Sequence, residues 1–165
     1  MVTVSSFFAH RETLRDFGFF REELLACEDY DLWNRILLKG YEIGLLEEAL
    51  LVRYGGHPDQ LSAKFPAIER FRLYSLIHTK WEAIQSGDWD LVPNWKKDLW
   101  KEVIQNKTKV LIAGRKKRGL SIDFLKRVLE SENMGKDLNA GNFGRADGNL
   151  ISKDIKTLLD SEQFL

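Results

Sequence analysis

A single cysteine, Cys27, stands in a chain of 165 residues. One thiol excludes an internal disulfide framework and fits a reducing compartment, so a cytoplasmic setting is expected. No apolar run approaches the roughly 18 residues that a membrane-spanning helix needs. The opening MVTVSSFFAHRE lacks a basic start followed by a long apolar stretch, so it does not read as a signal peptide. Net charge is missing too, because 25 Lys and Arg meet 25 Asp and Glu. That neutrality is a sum of unlike halves: residues 1–62 carry 6 basic and 11 acidic side chains, or −5, and residues 63–165 carry 19 and 14, or +5. Such asymmetry points to two functional sections, to a polyanionic partner, or to nothing beyond solubility.

What is present is an ordinary globular composition, 44% apolar and 30% charged, in a chain long enough to bury roughly 70% of its unfolded surface around one core. VTVSSFFAH, residues 2–10, is rich in β-branched and aromatic side chains and predicts a strand. ETLRDFG predicts a short helical turn stopped at Gly18. FFREELLACED leads as a loop into a helix over 29–39, with Gly40 as its C′ residue. YEIGLLEEALLVRYGG predicts two short strands around Glu47-Glu48, and HPDQLSAKFP a loop.

From Ala67 the period changes. Ile68, Phe71, Tyr74, Ile77, Trp81 and Ile84 recur at three- and four-residue steps and mark a long amphipathic helix. SGDWDLVPN breaks it, Trp95, Leu99, Val103 and Val110 to Ile112 suggest a second helix, and Ser121 caps a third with Asp123 in its first turn. The Gly- and Asn-rich stretch near 134–149 reads as a flexible loop, and the last residues as a short helical tail. The expected class is therefore α+β: a front part, residues 1–65, with few short strands, and a mainly helical part, residues 66–165. A free-standing α/β domain alternates more strands with helices, so the chain reads as the end of something larger.

The densest chemistry is in LLACEDYDLWNRILLKG, residues 24–40. Glu28 and Asp29 stand at a helix start, where unpaired N–H groups and the dipole favour negative charge by roughly 0.3–1 kcal/mol. Asp31 precedes Arg35 by four residues, the spacing of a local ion pair. Asp29 shares a face with Leu32 and Trp33. A capped helix with one surface pair accounts for all of this without any function.

The wider stretch resembles the inverting family 2 glycosyltransferases. The resemblance rests on a serine-containing strand, His10-Arg11 before a helix, Phe17-Gly18-x-Phe20, EDYDLWNR, LLEEALLVRY, and His57-Pro58-x-Gln60-Leu61-Ser62. It spans residues 3–62 and implies an incomplete GT-A-like α/β segment followed by a helical extension. It further implies transfer of a sugar from a nucleotide-sugar donor to a hydroxyl of a glycan or lipid-linked acceptor, with inversion. By position in the motif, Asp29 would be the general base and Glu28 would help to position the acceptor. Ser5 and Ser6 would face the acceptor, and His57 would contact the metal or diphosphate. A divalent cation, Mn or Mg, would offset charge on the leaving diphosphate.

The family's donor-binding strands and Asp-x-Asp metal motif lie ahead of the region seen here. Asp29-Tyr30-Asp31 is helical, with carboxylates roughly 200° apart, and Asp88-Trp89-Asp90 comes after the base and reads as a turn. The donor half is thus expected to be missing, supplied by another chain or lost by truncation, and the isolated chain inactive. Two rival readings stand beside this one. In the first, the chain is a non-catalytic helical interaction module that keeps the base-bearing helix for packing. In the second, residues 107–118, with Lys107, Lys109 and Arg115 to Arg118, meet an anionic membrane surface, a phosphate-bearing acceptor or nucleic acid, the last being least expected. His10, His57 and His78 show no metal-ligand spacing. Cys27 lies beside Glu28 and Asp29, which predicts a raised thiol pKa and no catalytic thiolate.

Overall fold

The computed structural model describes residues 4–52, 54, 64–133 and 156–160. Among these residues a 3-10 turn, Val4–Ser6, is followed by the α-helices α1 (Arg11–Asp16), α2 (Glu28–Leu38), α3 (Glu69–Ser86), α4 (Asp88–Leu91), α5 (Asn94–Lys117) and α6 (Asp123–Asn133). The expected α+β class, with its incomplete GT-A-like α/β segment at the front, is overturned, because the described residues are mostly helical and include no strand or sheet. Residues 4–10 form the 3-10 turn and open chain, and residues 41–52 run as open chain without a ladder. The physical reason is that a strand must pair its backbone N–H and C=O groups with a neighbour. Neither run finds one among the described residues. Their β-branched, aromatic and leucine-rich composition reports a liking for a half-buried pleated surface, not an intrinsic backbone preference. Without that surface Phe8, Leu45, Leu46, Leu50, Val52 and Tyr54 stay exposed.

The helices follow the periodicity. Helix α2 starts one residue earlier than expected and ends on Gly40, whose φ of 85° suits the left-handed C′ position. The Gly40 N–H bonds the Leu37 carbonyl and the Tyr41 N–H bonds that of Ile36, a Schellman pair that satisfies the last carbonyls. Helix α5 ends in the same way at Gly119. Ser121 works as the cap read from sequence: its hydroxyl accepts from the Asp123 N–H at 3.3 Å and donates to the Asp123 carboxylate at 2.9 Å. The SGDWDLVPN break becomes Gly87 and the single turn α4, which tucks Trp89 into the core.

Helix α3 is the hub, packing against α2, α4 and α5, while α5 carries α6. Phe71, Leu73, Tyr74, Leu76 and Ala83 on α3 meet Trp89, Trp100, Ile104, Leu111 and Leu125 in the main core. Trp100 donates its indole N–H to the Leu76 carbonyl at 3.1 Å, so the large ring enters the core with its polar edge satisfied. Leu24, Ala26 and Leu38 join the same core. Arg70, enclosed on α3, donates to the Leu158 carbonyl at 3.1 Å and stacks on Phe71. That contact seats residues 156–160 on the bundle. A smaller core of Leu32, Trp33 and Ile36 takes in Phe7, Leu14, Phe17 and Ile43. Helix α2 is therefore a wall between two apolar layers, which is why polar Asp31 and Asn34 on it are buried as well.

Arg21 ties these layers together. Its guanidinium reaches Asp31 of α2 at 3.0 Å and also bonds Glu82 of α3. Burial alone would push the Glu82 carboxyl up, but nearby His78, at 3.6 Å, and the hydrogen bond from Arg21 outweigh it and hold it down, from 4.5 to about 2. A depressed carboxyl lends stability that is complete above the unfolded value and is lost as the pH falls through the folded one. The difference in stability between the native chain and Glu82→Gln is expected to shrink as the pH falls from about 4.5 toward 2. Urea unfolding across that range measures it, and a pH-independent gap would contradict the assignment.

Candidate functional site

The site predicted from the acidic motif lies at the start of α2. Cys27 takes the N-cap position with a left-handed backbone, φ 63°, and makes no side-chain cap. The dihedral turns the chain sharply out of the loop after α1 and into the helix. Asp29 accepts the Tyr30 N–H at 2.7 Å through Oδ1. It is half-buried, and among the described residues no cation pairs with it. Glu28 is likewise half-buried and unpaired among the described residues.

Asp31, two residues on, differs entirely. It is fully enclosed, and its Oδ2 accepts from Arg35 at 2.8 Å and from Arg21 at 3.0 Å. Sequence spacing anticipated the Arg35 pair but not Arg21, ten residues upstream, since nothing local marks such a partner. Arg35 continues outward and donates to the carbonyls of Phe17 and Phe19. These are the last turns after α1, where Gly18 and Phe19 both have positive φ. One carboxylate thus orders the Phe-Gly-x-Phe loop through two arginines. Charge-assisted bonds of this kind are short and directional, so the loop's path follows from Asp31.

Behind the helix start, Glu69 of α3 accepts from Lys107 of α5 at 2.7 Å and from Arg72. Burial raises the Glu69 carboxyl, yet the two cations outweigh it and its pKa falls. Arg72 and Lys107 also lie 5.9 and 5.3 Å from the Tyr30 ring centre. This makes a cationic backing for the acidic mouth. Lys107, first read as part of a basic cluster, is a structural partner of Glu69.

The other predicted residues are placed as follows. Ser5 and Ser6 sit on the exposed 3-10 turn, and the strand expected to carry them is not there. The next residue, Phe7, packs on Trp33 with ring centres 4.0 Å apart. Trp33 is four residues after Asp29 and so on the same helix face, which brings the serine turn to the side of α2 that Asp29 heads. His57 lies outside the described residues, as does the loop near 134–149. Trp33, Trp89 and Trp100 are core residues, and Trp95 is exposed.

A divalent cation finds no cradle among the described residues, where no group of three or more His, Cys, Asp and Glu comes together. Asp31 is consumed by arginines, and Asp88 is held by Lys39 and Ser86. Comparisons with protein-family models, curated proteins and solved structures found no match.

Two outcomes are expected. Asp31→Asn strips both arginines of their counter-charge in an enclosed site and should cost about 3–5 kcal/mol, read from urea unfolding. A loss below about 1 kcal/mol would mean that the pair is no stronger than a surface bridge. Burial, with Asp29 and Glu69 adding to it against Arg72, pushes the Cys27 thiol up to about 11. Because the thiolate is the nucleophile, its exchange with a disulfide at pH 8 should run about a hundredfold slower than that of an ordinary cysteine thiol. Stopped-flow reaction with a disulfide reagent checks this, and an ordinary rate would refute it.

Proposed function

We propose that this chain carries the acceptor-side, general-base portion of an inverting glycosyl transfer from a nucleotide sugar to a hydroxyl of a glycan or lipid-linked acceptor. The single observation behind the proposal is the division of labour within one helix turn. Asp31 is spent on Arg21 and Arg35, whereas Asp29 keeps a half-buried carboxylate free of any cation among the described residues. Its Oδ1 is fixed by the Tyr30 N–H, which leaves Oδ2 to take a proton.

In the step itself the acceptor hydroxyl gives its proton to Asp29 as its oxygen bonds to the anomeric carbon. The bond from that carbon to the diphosphate oxygen breaks, and the electron pair leaves with the diphosphate. One base and no nucleophilic carboxylate means one displacement and hence inversion, as in the inverting glycosidases with water replaced by a sugar hydroxyl. Glu28 orients the acceptor, and Ser5 and Ser6 offer hydroxyls beside the Phe7–Trp33 stack. Donor binding belongs to residues or a chain beyond those described, and no step is routed through a metal. The setting proposed is the cytoplasm; no helix of the described residues is long and apolar enough to cross a membrane.

A second reading, a helical interaction module that keeps α2 for packing, draws support from the enclosed Asp31. The two part at Asp29. Sugar transfer by the tagged full chain, recovered from its own cells with any chain that accompanies it, should fall at least about a hundredfold on Asp29→Asn. The melting temperature should meanwhile stay within a few degrees. Transfer that survives Asp29→Asn while the fold loses more than about 1 kcal/mol would favour packing. Calorimetry of the isolated chain with nucleotide sugars and manganese should show no binding.

A further inference from the structure

Helices α5 and α6 leave a groove that takes in Lys109 and Lys116 of the basic run 107–118. Its volume is about 350 Å³. Lys109, Ile112, Ala113 and Lys116 line it from α5, at steps of three, one and three residues that keep them on one stripe. Ile122, Lys126 and Leu129 line it from the α6 side at steps of four and three. The floor is therefore aliphatic and the rim carries three ammonium groups.

Lys109 and Lys116 are exposed and make no ion pair among the described residues. Lys126 stands 3.8 Å from Asp123, with both side chains more than half exposed. Over residues 109–129 there are seven Lys and Arg and one Asp, a net of +6 in a chain whose sum is zero. Not all of that charge is available: Arg115 is buried and donates to the Ser121 carbonyl, which locks the turn between the two helices. Gln105 to Asn133 at 2.7 Å and Lys80 to Glu132 at 2.9 Å pin the other end. The groove is thus held open before any ligand arrives. Val110 continues the apolar surface outward, 58% exposed.

We propose that this face docks on an anionic phospholipid surface, with the lysine rim at the phosphates and the aliphatic floor against the acyl boundary. Charge complementarity selects an anion, and the floor selects a lipid. A nucleic acid would gain little from Ile112, Ile122 and Leu129, and among the described residues no aromatic ring lines the groove to stack on a base. Lysines near a charged bilayer each strengthen binding several-fold, in a manner that salt screens.

The test is co-sedimentation of the full chain with vesicles of phosphatidylcholine containing about one quarter phosphatidylserine, at about 0.1 M salt. Binding is expected to those vesicles and not to pure phosphatidylcholine. Combining Lys109→Gln, Lys116→Gln and Lys126→Gln should weaken it about a hundredfold. Combining Arg11→Gln, Arg15→Gln and Lys156→Gln, an equal change of charge elsewhere, should leave it near the native level. Ala113→Asp, an exposed position that puts a carboxylate on the floor, should weaken it as well and decides the matter if the triple lysine variant does not fold. Free glycerophosphoserine should not compete. The proposal is overturned if the lysine variant or Ala113→Asp binds vesicles as the native chain does. Equal binding to pure phosphatidylcholine would also overturn it, and so would duplex DNA or an acidic peptide bound through the same lysines in place of vesicles.

Discussion

An enclosed carboxylate between two guanidinium groups governs the front of this protein. Asp31 holds Arg21 and Arg35 through one oxygen. Arg35 in turn fixes the carbonyls after α1, and Arg21 reaches across to Glu82 on the central helix. Burying three charges is costly unless each is paired and directed. Here the pairing brings together a loop, a helix and the hub against which that helix packs. Everything proposed for Asp29 relies on this arrangement, since Asp29 is aimed by the same turn that Asp31 anchors.

The central helix α3 has little amphipathic contrast because it is covered on several sides, by α2, α4 and α5. Two of its buried polar side chains have specific partners. Ser75 accepts from Asn34 at 2.9 Å, and Arg70 answers the Leu158 carbonyl. Polar groups enclosed with partners discriminate among alternative packings, whereas an all-leucine interface would slide. That rigidity carries outward through α5 to α6, where it fixes the width of the lysine-rimmed groove.

Local periodicity was enough to read most of the helices. The three- and four-residue recurrence from Ile68 to Ile84, the Gly40 stop, the Ser121 cap and the Asp31 to Arg35 spacing all reappear, because each involves neighbours a few residues apart in the chain. The strands did not appear over residues 4–10 or 41–52. Strand formation depends on a partner that composition cannot supply, and the exposed leucines there show β-like residues without a sheet. Arg21, Arg70 and Arg115 escaped sequence reading for a related cause. Two of them seek carbonyls and the third seeks two carboxylates 10 and 61 residues away, and no spacing rule announces such partners. At the candidate site, spacing gave Asp31 its Arg35 partner, and the packing adds its enclosure and its bond to Arg21.

The two reaches of Arg21 have a consequence for the order of assembly. Meeting Asp31 closes a loop of 10 residues, while meeting Glu82 closes one of 61. The longer closure carries about 1.6 kcal/mol more chain entropy, so the shorter contact is the cheaper to form in an unfolded chain. Chain entropy thus favours an order in which Arg21 meets Asp31 on α2 before α3 docks, so that α3 would meet a prepared cation.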